Sequence, residues 1–144
     1  MFQIIKYPHS ILRKKCKFIE AVTMQEVELF ENMVFTMRAF NGIGLAAPQI
    51  GMSRQLIVVD TGESIIKLAN PQIIQAKGND KMVEGCLSIP GADVEVKRRY
   101  KITLKGLNEK GKTIEIEAKG LSARVLQHEI DHLKGKLITD YSSL

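Results

Sequence analysis

Between Thr23 and Gly42 the apolar residues Val27, Phe30, Met33, Val34 and Met37 recur at helical intervals. That spacing puts them on one face, buried against a core. Thr23 and Glu26 stand at capping-box spacing, where each side chain can satisfy the other residue's free backbone N–H. Asn41-Gly42 is expected to end this helix, with Gly42 in the left-handed position after it. Beyond it the period shortens. Residues 55–59 and 65–68 read as strands, Asn70-Pro71 breaks the chain, and residues 72–75 read as another short strand. Gly78-Asn79-Asp80 reads as a turn. Val94 and Val96, Ile102 and Leu104, and Ile114 and Ile116 each flank a polar residue, the period of a half-buried strand. The turn Asn108-Glu109-Lys110-Gly111 joins the last two as a hairpin. A second helix is expected from about Ser122 to Lys134, with Ser122 as its N-cap and Gly135 just past its end. Strands gathered between two helices predict an α+β fold rather than a doubly wound sheet. The reading is one domain over residues 1–144, its antiparallel sheets packed around the C-terminal helix.

Composition narrows the class. A chain of 144 residues buries roughly two-thirds of its unfolded surface, so its core needs no disulfide. No apolar run of the roughly 18 residues that span a bilayer occurs, and the first ten residues lack the apolar core of a signal peptide. The expected compartment is the cytoplasm, with Cys16 and Cys86 as reduced thiols. The net charge is +5. Its Lys and Arg residues are scattered, with short clusters at Arg13-Lys14-Lys15 and Lys97-Arg98-Arg99. This reads as a solvated basic surface without sequence-specific nucleic-acid binding. It would still favour approach to RNA-rich partners such as ribosomes.

The chemistry concentrates in Gln127-His128-Glu129-Ile130-Asp131-His132, which contains HExxH. Four residues apart on a helix, His128 and His132 share a face and can offer two imidazoles to one ion. Glu129, about 100° around the helix, can address a water on that ion without being a ligand. A catalytic site of this type usually needs a third protein ligand. After His132 only Asp140 is acidic. Upstream, Cys86 lies in Glu84-Gly85-Cys86-Leu87-Ser88-Ile89-Pro90, and a thiolate is a strong ligand for Zn²⁺ or Fe²⁺. Gly85 would let the backbone approach a neighbour there. Spacing alone does not separate this reading from a buried cysteine acting as a small hydrophobe. Cys16, with no site-like residues around it, reads as such a hydrophobe.

Residues 42–47, Gly-Ile-Gly-Leu-Ala-Ala, formally fit a dinucleotide-binding fingerprint. That motif follows a strand and opens a helix. Here a helix precedes it, and Pro48 and Gly51 disfavour one after it. The segment reads better as a tight loop whose backbone meets a peptide. Gln49 is its one fully polar side chain, placed either to brace the loop or to donate to an oxyanion.

Taken together, GIGLAAPQ (42–49), EGCLS (84–88) and QHEIDH (127–132) resemble, in order and spacing, the three signature motifs of peptide deformylases. The resemblance extends from Tyr7-Pro8 with Leu12-Arg13 to Gly135-Lys136-Leu137. It implies a hydrolase that removes the formyl group from the N-terminal formylmethionine of nascent polypeptides and releases formate. It implies one divalent metal ion on Cys86, His128 and His132, natively Fe²⁺, with Zn²⁺ or Ni²⁺ in purified protein. Glu129 would be the general acid and base. Gln49 and the backbone N–H of Leu87 would bind the oxyanion. Gly44 would hold substrate through its backbone, and Ile43, Leu121 and Val125 would line the methionine pocket. Glu84 and Arg98 would form an ion pair near the site. The partners implied are formylmethionyl nascent peptides and, in members with a further C-terminal helix, the ribosome. No membrane is implied. The compartment is bacterial cytoplasm, or a host cytoplasm or organelle for a viral or organellar member. Two departures stand out: Pro8 is followed by His9 rather than Asp, and Arg124 replaces an apolar residue near the substrate side chain.

Three other classes fit less well. An HExxH peptidase acting on internal bonds usually takes its third ligand downstream. A silent module that binds formylmethionyl termini has no need of Glu129. A copper electron carrier rarely draws two ligands from one helical turn.

Overall fold

In the computed structural model, which describes residues 2–142, one short strand is buried on both faces between two helices. The helices are α1, Met24–Ala39, and α2, Leu121–Leu133. Seven strands lie between them: β1 Gly44–Ala46, β2 Leu56–Asp60, β3 Ile65–Lys77, β4 Asp80–Cys86, β5 Ile89–Arg98, β6 Lys101–Leu107 and β7 Thr113–Lys119. Five of them form an antiparallel sheet in the order β1-β2-β3-β6-β7, and β4 and β5 form a separate hairpin. The fold is α+β, as the element order predicts.

Strand β2 explains the layering. Its first four residues, Leu56 to Val59, are apolar without alternation because both faces are covered. Leu56 and Val58 pack with Phe30, Met33 and Met37 of α1. Ile57 and Val59 pack with Ala123, Leu126 and Ile130 of α2. Burying a side chain such as Phe30 contributes about 1.5–3 kcal/mol. The α2 side of the sheet is completed by Leu68, Ile102 and Leu104.

Local chemistry sets the boundaries, and several differ from the sequence pattern. The Thr23–Glu26 capping box forms, and Arg54 pairs with the Glu26 carboxylate at 2.7 Å. At the other end of α1 the left-handed residue is Asn41, at φ 58°, not Gly42. The N–H groups of Asn41 and Gly42 bond to the carbonyls of Arg38 and Met37. This is a Schellman closure, and it places the left-handed residue one position earlier. Residues 65–68 and 72–75 belong to one strand, β3. Asn70-Pro71 is an irregularity within it, held because the Asn70 amide bonds both the N–H and the C=O of Ile19. Strand β4 carries no clean alternation and is absent from the sequence prediction. Ser122 does not cap α2: the cap position is Gly120, at φ 64°, and no side chain caps it. The chain turns sharply out of β7 there, which favours glycine over a capping serine. Gly135 does lie just past α2 with positive φ.

Among the described residues, no helix is long and apolar enough to cross a membrane.

Candidate metal centre

Helix α2 presents His128 and His132 one turn apart, their ring centroids separated by 5.1 Å. Cys86, at the end of β4, faces them. Its Sγ lies 3.5 Å from His132 Nε2, and one ligand atom from each of the three residues falls within 4.8 Å of the others. Metal–ligand bonds of about 2.0–2.3 Å in a tetrahedron put ligand atoms roughly 3.3–3.8 Å apart, so a small contraction would suit one ion. A thiolate with two imidazoles suits Zn²⁺ or Fe²⁺. Beside them, Glu129 Oε1 and His132 Nδ1 are buried with no hydrogen-bond partner among the described residues. Buried polar atoms rarely stay unpaired. An orphan carboxylate oxygen beside the three donors marks a place built for a bound water or substrate atom. The residues present therefore fit a metal ion. Asp140 is not part of the cluster and pairs with Arg13.

Beneath these three candidate donors lies a network centred on Glu84. His128 Nδ1 donates to Glu84 Oε1 at 2.9 Å, which leaves Nε2 for an ion. Arg98 donates to both Glu84 oxygens, through Nε and Nη2, each at 2.9 Å. Arg124 adds a bond from Nη1 to Glu84 Oε2 at 2.6 Å. Burial works against charging Glu84, but the Arg98 and His128 hydrogen bonds outweigh it and hold its pKa down at about 2. Burial likewise opposes charge on His128. Hydrogen bonds to Cys86 and Glu84 overcome it and raise its pKa to about 10, a proton that an incoming ion must displace. Burial, helped by the His128 charge, pushes His132 well below its usual value. Burial lifts Glu129 to about 7, against the pull of His128 and Arg98. That is the range in which a carboxyl group both accepts and returns a proton near neutral pH.

The rest of the site comes from the two other signature segments. The N-terminal segment holds both: Ile5 N–H bonds to Gln49 O, and Tyr7 N–H to Ser88 O. The Gln49 side chain is fixed at both ends. Its Oε1 accepts from Ala46 N–H at 2.9 Å, and its Nε2 donates to Ser88 Oγ at 3.2 Å while lying 3.8 Å from Cys86 Sγ. Gly44 sits where a Cβ would come within 2.5 Å of Glu129 Oε2, so its lack of a side chain makes room for that carboxylate. Gly85 has no such constraint, since a Cβ there would approach nothing closer than 3.8 Å.

A cleft of about 490 Å³ opens onto these groups. Gly44, Gln49, Cys86, Leu87, His128 and Glu129 face it, and Ile43, Leu121 and Val125 line its wall. Arg124 also borders the cleft, but its guanidinium is engaged by Glu84, Val96 O and Asp80 O. That ties α2 to the β4–β5 hairpin. Asp131 and Ser88 are parts of this arrangement that the sequence pattern does not single out, and Arg124, noted there only as a departure near the substrate side chain, serves the Glu84 network instead. A buried arginine signals itself only through its neighbours. Cys16 lies apart, buried beneath the Ser53 hydroxyl.

The family model for polypeptide deformylase matches residues 1–144. A peptide deformylase of Carboxydothermus hydrogenoformans is 50% identical over 140 residues, covering 97% of this chain and 92% of its own. One from Halothermothrix orenii is 50% identical over 142 residues, with the same coverage. Among solved structures, a peptide deformylase from Legionella pneumophila superposes with a TM-score of 0.96 at 42% identity, over 99% of this chain and 86% of that one. That of Thermotoga maritima gives 0.96 at 38% identity over 100% and 99%.

Proposed function

The chain belongs to the polypeptide deformylase family, metallohydrolases that remove the N-formyl group from nascent polypeptides, and from that premise we propose which of its residues do so. Cys86, His128 and His132 hold one divalent ion, natively Fe²⁺ and replaceable by Zn²⁺ or Ni²⁺. When bound, such an ion supplies Lewis acidity, which polarises a carbonyl and acidifies water. Glu129 takes the proton of the attacking water as its oxygen adds to the formyl carbon. Gln49 Nε2 and the Leu87 N–H donate to the oxygen that becomes negative. Glu129 then passes the proton to the leaving amine, the C–N bond breaks, and formate and the free methionyl terminus separate. Gly44 holds the peptide through its backbone, and Ile43, Leu121 and Val125 take the methionine side chain. The catalytic unit spans residues 1–144.

The observation that carries this reading is the convergence of Cys86 with both α2 histidines beside a buried Glu129 of raised pKa. The working compartment is the cytoplasm. The +5 charge supports approach to the ribosome, where the substrate emerges. The test is formate release from a short formylmethionyl peptide by anaerobic, Fe²⁺-loaded protein, beside Glu129→Ala. Release by the parent that is lost in the variant, with metal still bound, supports the assignment. Equal release by both would overturn the role of Glu129.

A further inference from the structure

The 3₁₀ turn Ile138–Tyr141 follows α2 and plays no part in the chemistry above, yet its last residue reaches the network that orients His128. Tyr141 Oη donates to Asp131 Oδ2 at 2.6 Å and accepts from Arg98 Nη1 at 3.1 Å. Arg98 Nη1 also donates to Asp131 Oδ2, at 2.5 Å. The three groups close a triangle. The guanidinium also stacks on the Tyr141 ring, 4.9 Å from its centroid, and Lys136 Nζ lies 4.3 Å from the same centroid. The opposite edge of Arg98, Nε and Nη2, donates to both oxygens of Glu84, and Glu84 Oε1 accepts from His128 Nδ1. A continuous path of hydrogen bonds thus runs from Tyr141 through Arg98 and Glu84 to a ligand imidazole.

We propose that Tyr141 is a positioning residue for the metal centre, fixing the plane of the Arg98 guanidinium and through it the orientation of Glu84 and His128. The proposal rests on the reading of His128 as a metal ligand. A guanidinium is planar, so fixing its Nη1 side fixes the edge that Glu84 meets. Arg98 is buried, whereas the Asp131 side chain keeps 17% of its exposure, and the ring of Tyr141 covers the guanidinium on that more open side. The turn is itself anchored. Asp140 accepts from Leu137 N–H and pairs with Arg13 at 2.7 Å. The tyrosine therefore does not depend on α2 alone for its place.

The test uses Co²⁺ as the bound ion, because its visible absorption reports ligand geometry without any turnover. Tyr141→Phe keeps the stacked ring and removes the hydroxyl. Tyr141→Leu removes both. Outer-shell partners of metal ligands such as Glu84 typically change metal affinity about 10–100-fold, and Tyr141, two steps further out, is expected to speed Co²⁺ release to a chelator by about 3–10-fold. The expected result is faster release and a shifted Co²⁺ band in Tyr141→Phe, larger in Tyr141→Leu. The thermal midpoint of metal-free Tyr141→Phe should stay near the parent's, with kcat for the formylmethionyl peptide lowered at unchanged KM. Variants that match the parent in band and release rate would overturn the proposal. So would a lowered thermal midpoint as the sole effect. A parent that releases no formate, with the spectral differences intact, would overturn the deformylase assignment of these residues and leave the positioning role standing.

Discussion

The carboxylate of Glu84 accepts a hydrogen bond from His128 Nδ1 at 2.9 Å across 44 residues of chain. Two buried guanidiniums, Arg98 and Arg124, hold that carboxylate in turn. The orientation of His128, the proposed ligand, therefore depends on a charge that is itself compensated from both sides.

Glu84→Gln leaves those two arginines without their shared anion. Breaking a buried pair by removing one partner costs about 3–5 kcal/mol, and loss of the imidazole's partner should weaken metal binding about 10–100-fold. Chelator competition and denaturant unfolding read the two effects separately. A pH signature follows as well. The folded pKa of Glu84, about 2, lies below the ordinary 4.5. Its contribution is therefore fully present above pH 4.5 and is lost as pH falls toward 2, a change of about 3 kcal/mol. Metal-free parent should lose stability steeply across that interval, and Glu84→Gln should respond more weakly.

Glu129→Gln should keep its metal while kcat falls by about 10²–10⁴, the range attributed to a positioned acid–base group. Its stability should change with the opposite sign. The folded value of about 7 lies above the ordinary 4.5. As pH rises from 4.5 to 7 the unfolded chain releases a proton that the folded chain keeps. The metal-free parent loses about 3 kcal/mol over that interval. The glutamine variant has no such proton and should be the more stable protein above pH 7 in denaturant unfolding.

Gly44→Ala tests the close approach of the two signature segments. The added methyl would lie 2.5 Å from Glu129 Oε2 and 2.7 Å from Val125 Cγ1. The carboxylate must move to admit it, and a displacement of about 1 Å can cost about 10² in rate. The expected outcome is a fall in kcat with metal content and the circular dichroism spectrum of the parent. An unchanged kcat would show that Glu129 can relocate freely.

Cys86→Ala removes the soft donor and should abolish tight binding of one equivalent of metal. In the parent, added Zn²⁺ should raise the melting temperature by mass action on the folded state, and in the variant it should not. The Fe²⁺-loaded parent should lose activity in air, because ion and thiolate both oxidise. The Zn²⁺-loaded parent should not.

Ser88→Ala frees one end of the Gln49 amide, since Ser88 Oγ accepts from Gln49 Nε2. Loss of one aligned oxyanion donor costs up to about 10²–10³ in kcat. A partial misalignment should fall below that range, with KM little changed in steady-state kinetics.

Some of this architecture is present in the sequence because it is local. The capping box of α1 needs only Thr23 and Glu26 three residues apart. The shared face of His128 and His132 follows from helical geometry alone. The α+β class follows from where the periods change along the chain. The outcome was less local where neighbours intervened. Gly42 yielded the left-handed position to Asn41, Ser122 yielded the cap to Gly120, and β4 showed no pattern of its own because its partner, β5, defines it.

The site divides in the same way. Residue type and spacing along one helix determined that His128, Glu129 and His132 could address one ion, and three short segments together determined the family. Only the tertiary structure decided that Cys86 faces those imidazoles, that Gly44 makes room for Glu129, and that Glu84 collects Arg98, Arg124 and His128. These contacts join residues far apart in the chain. Their energies come from burial and from charges brought together in a medium of low polarity, and a linear pattern of residues carries no record of either.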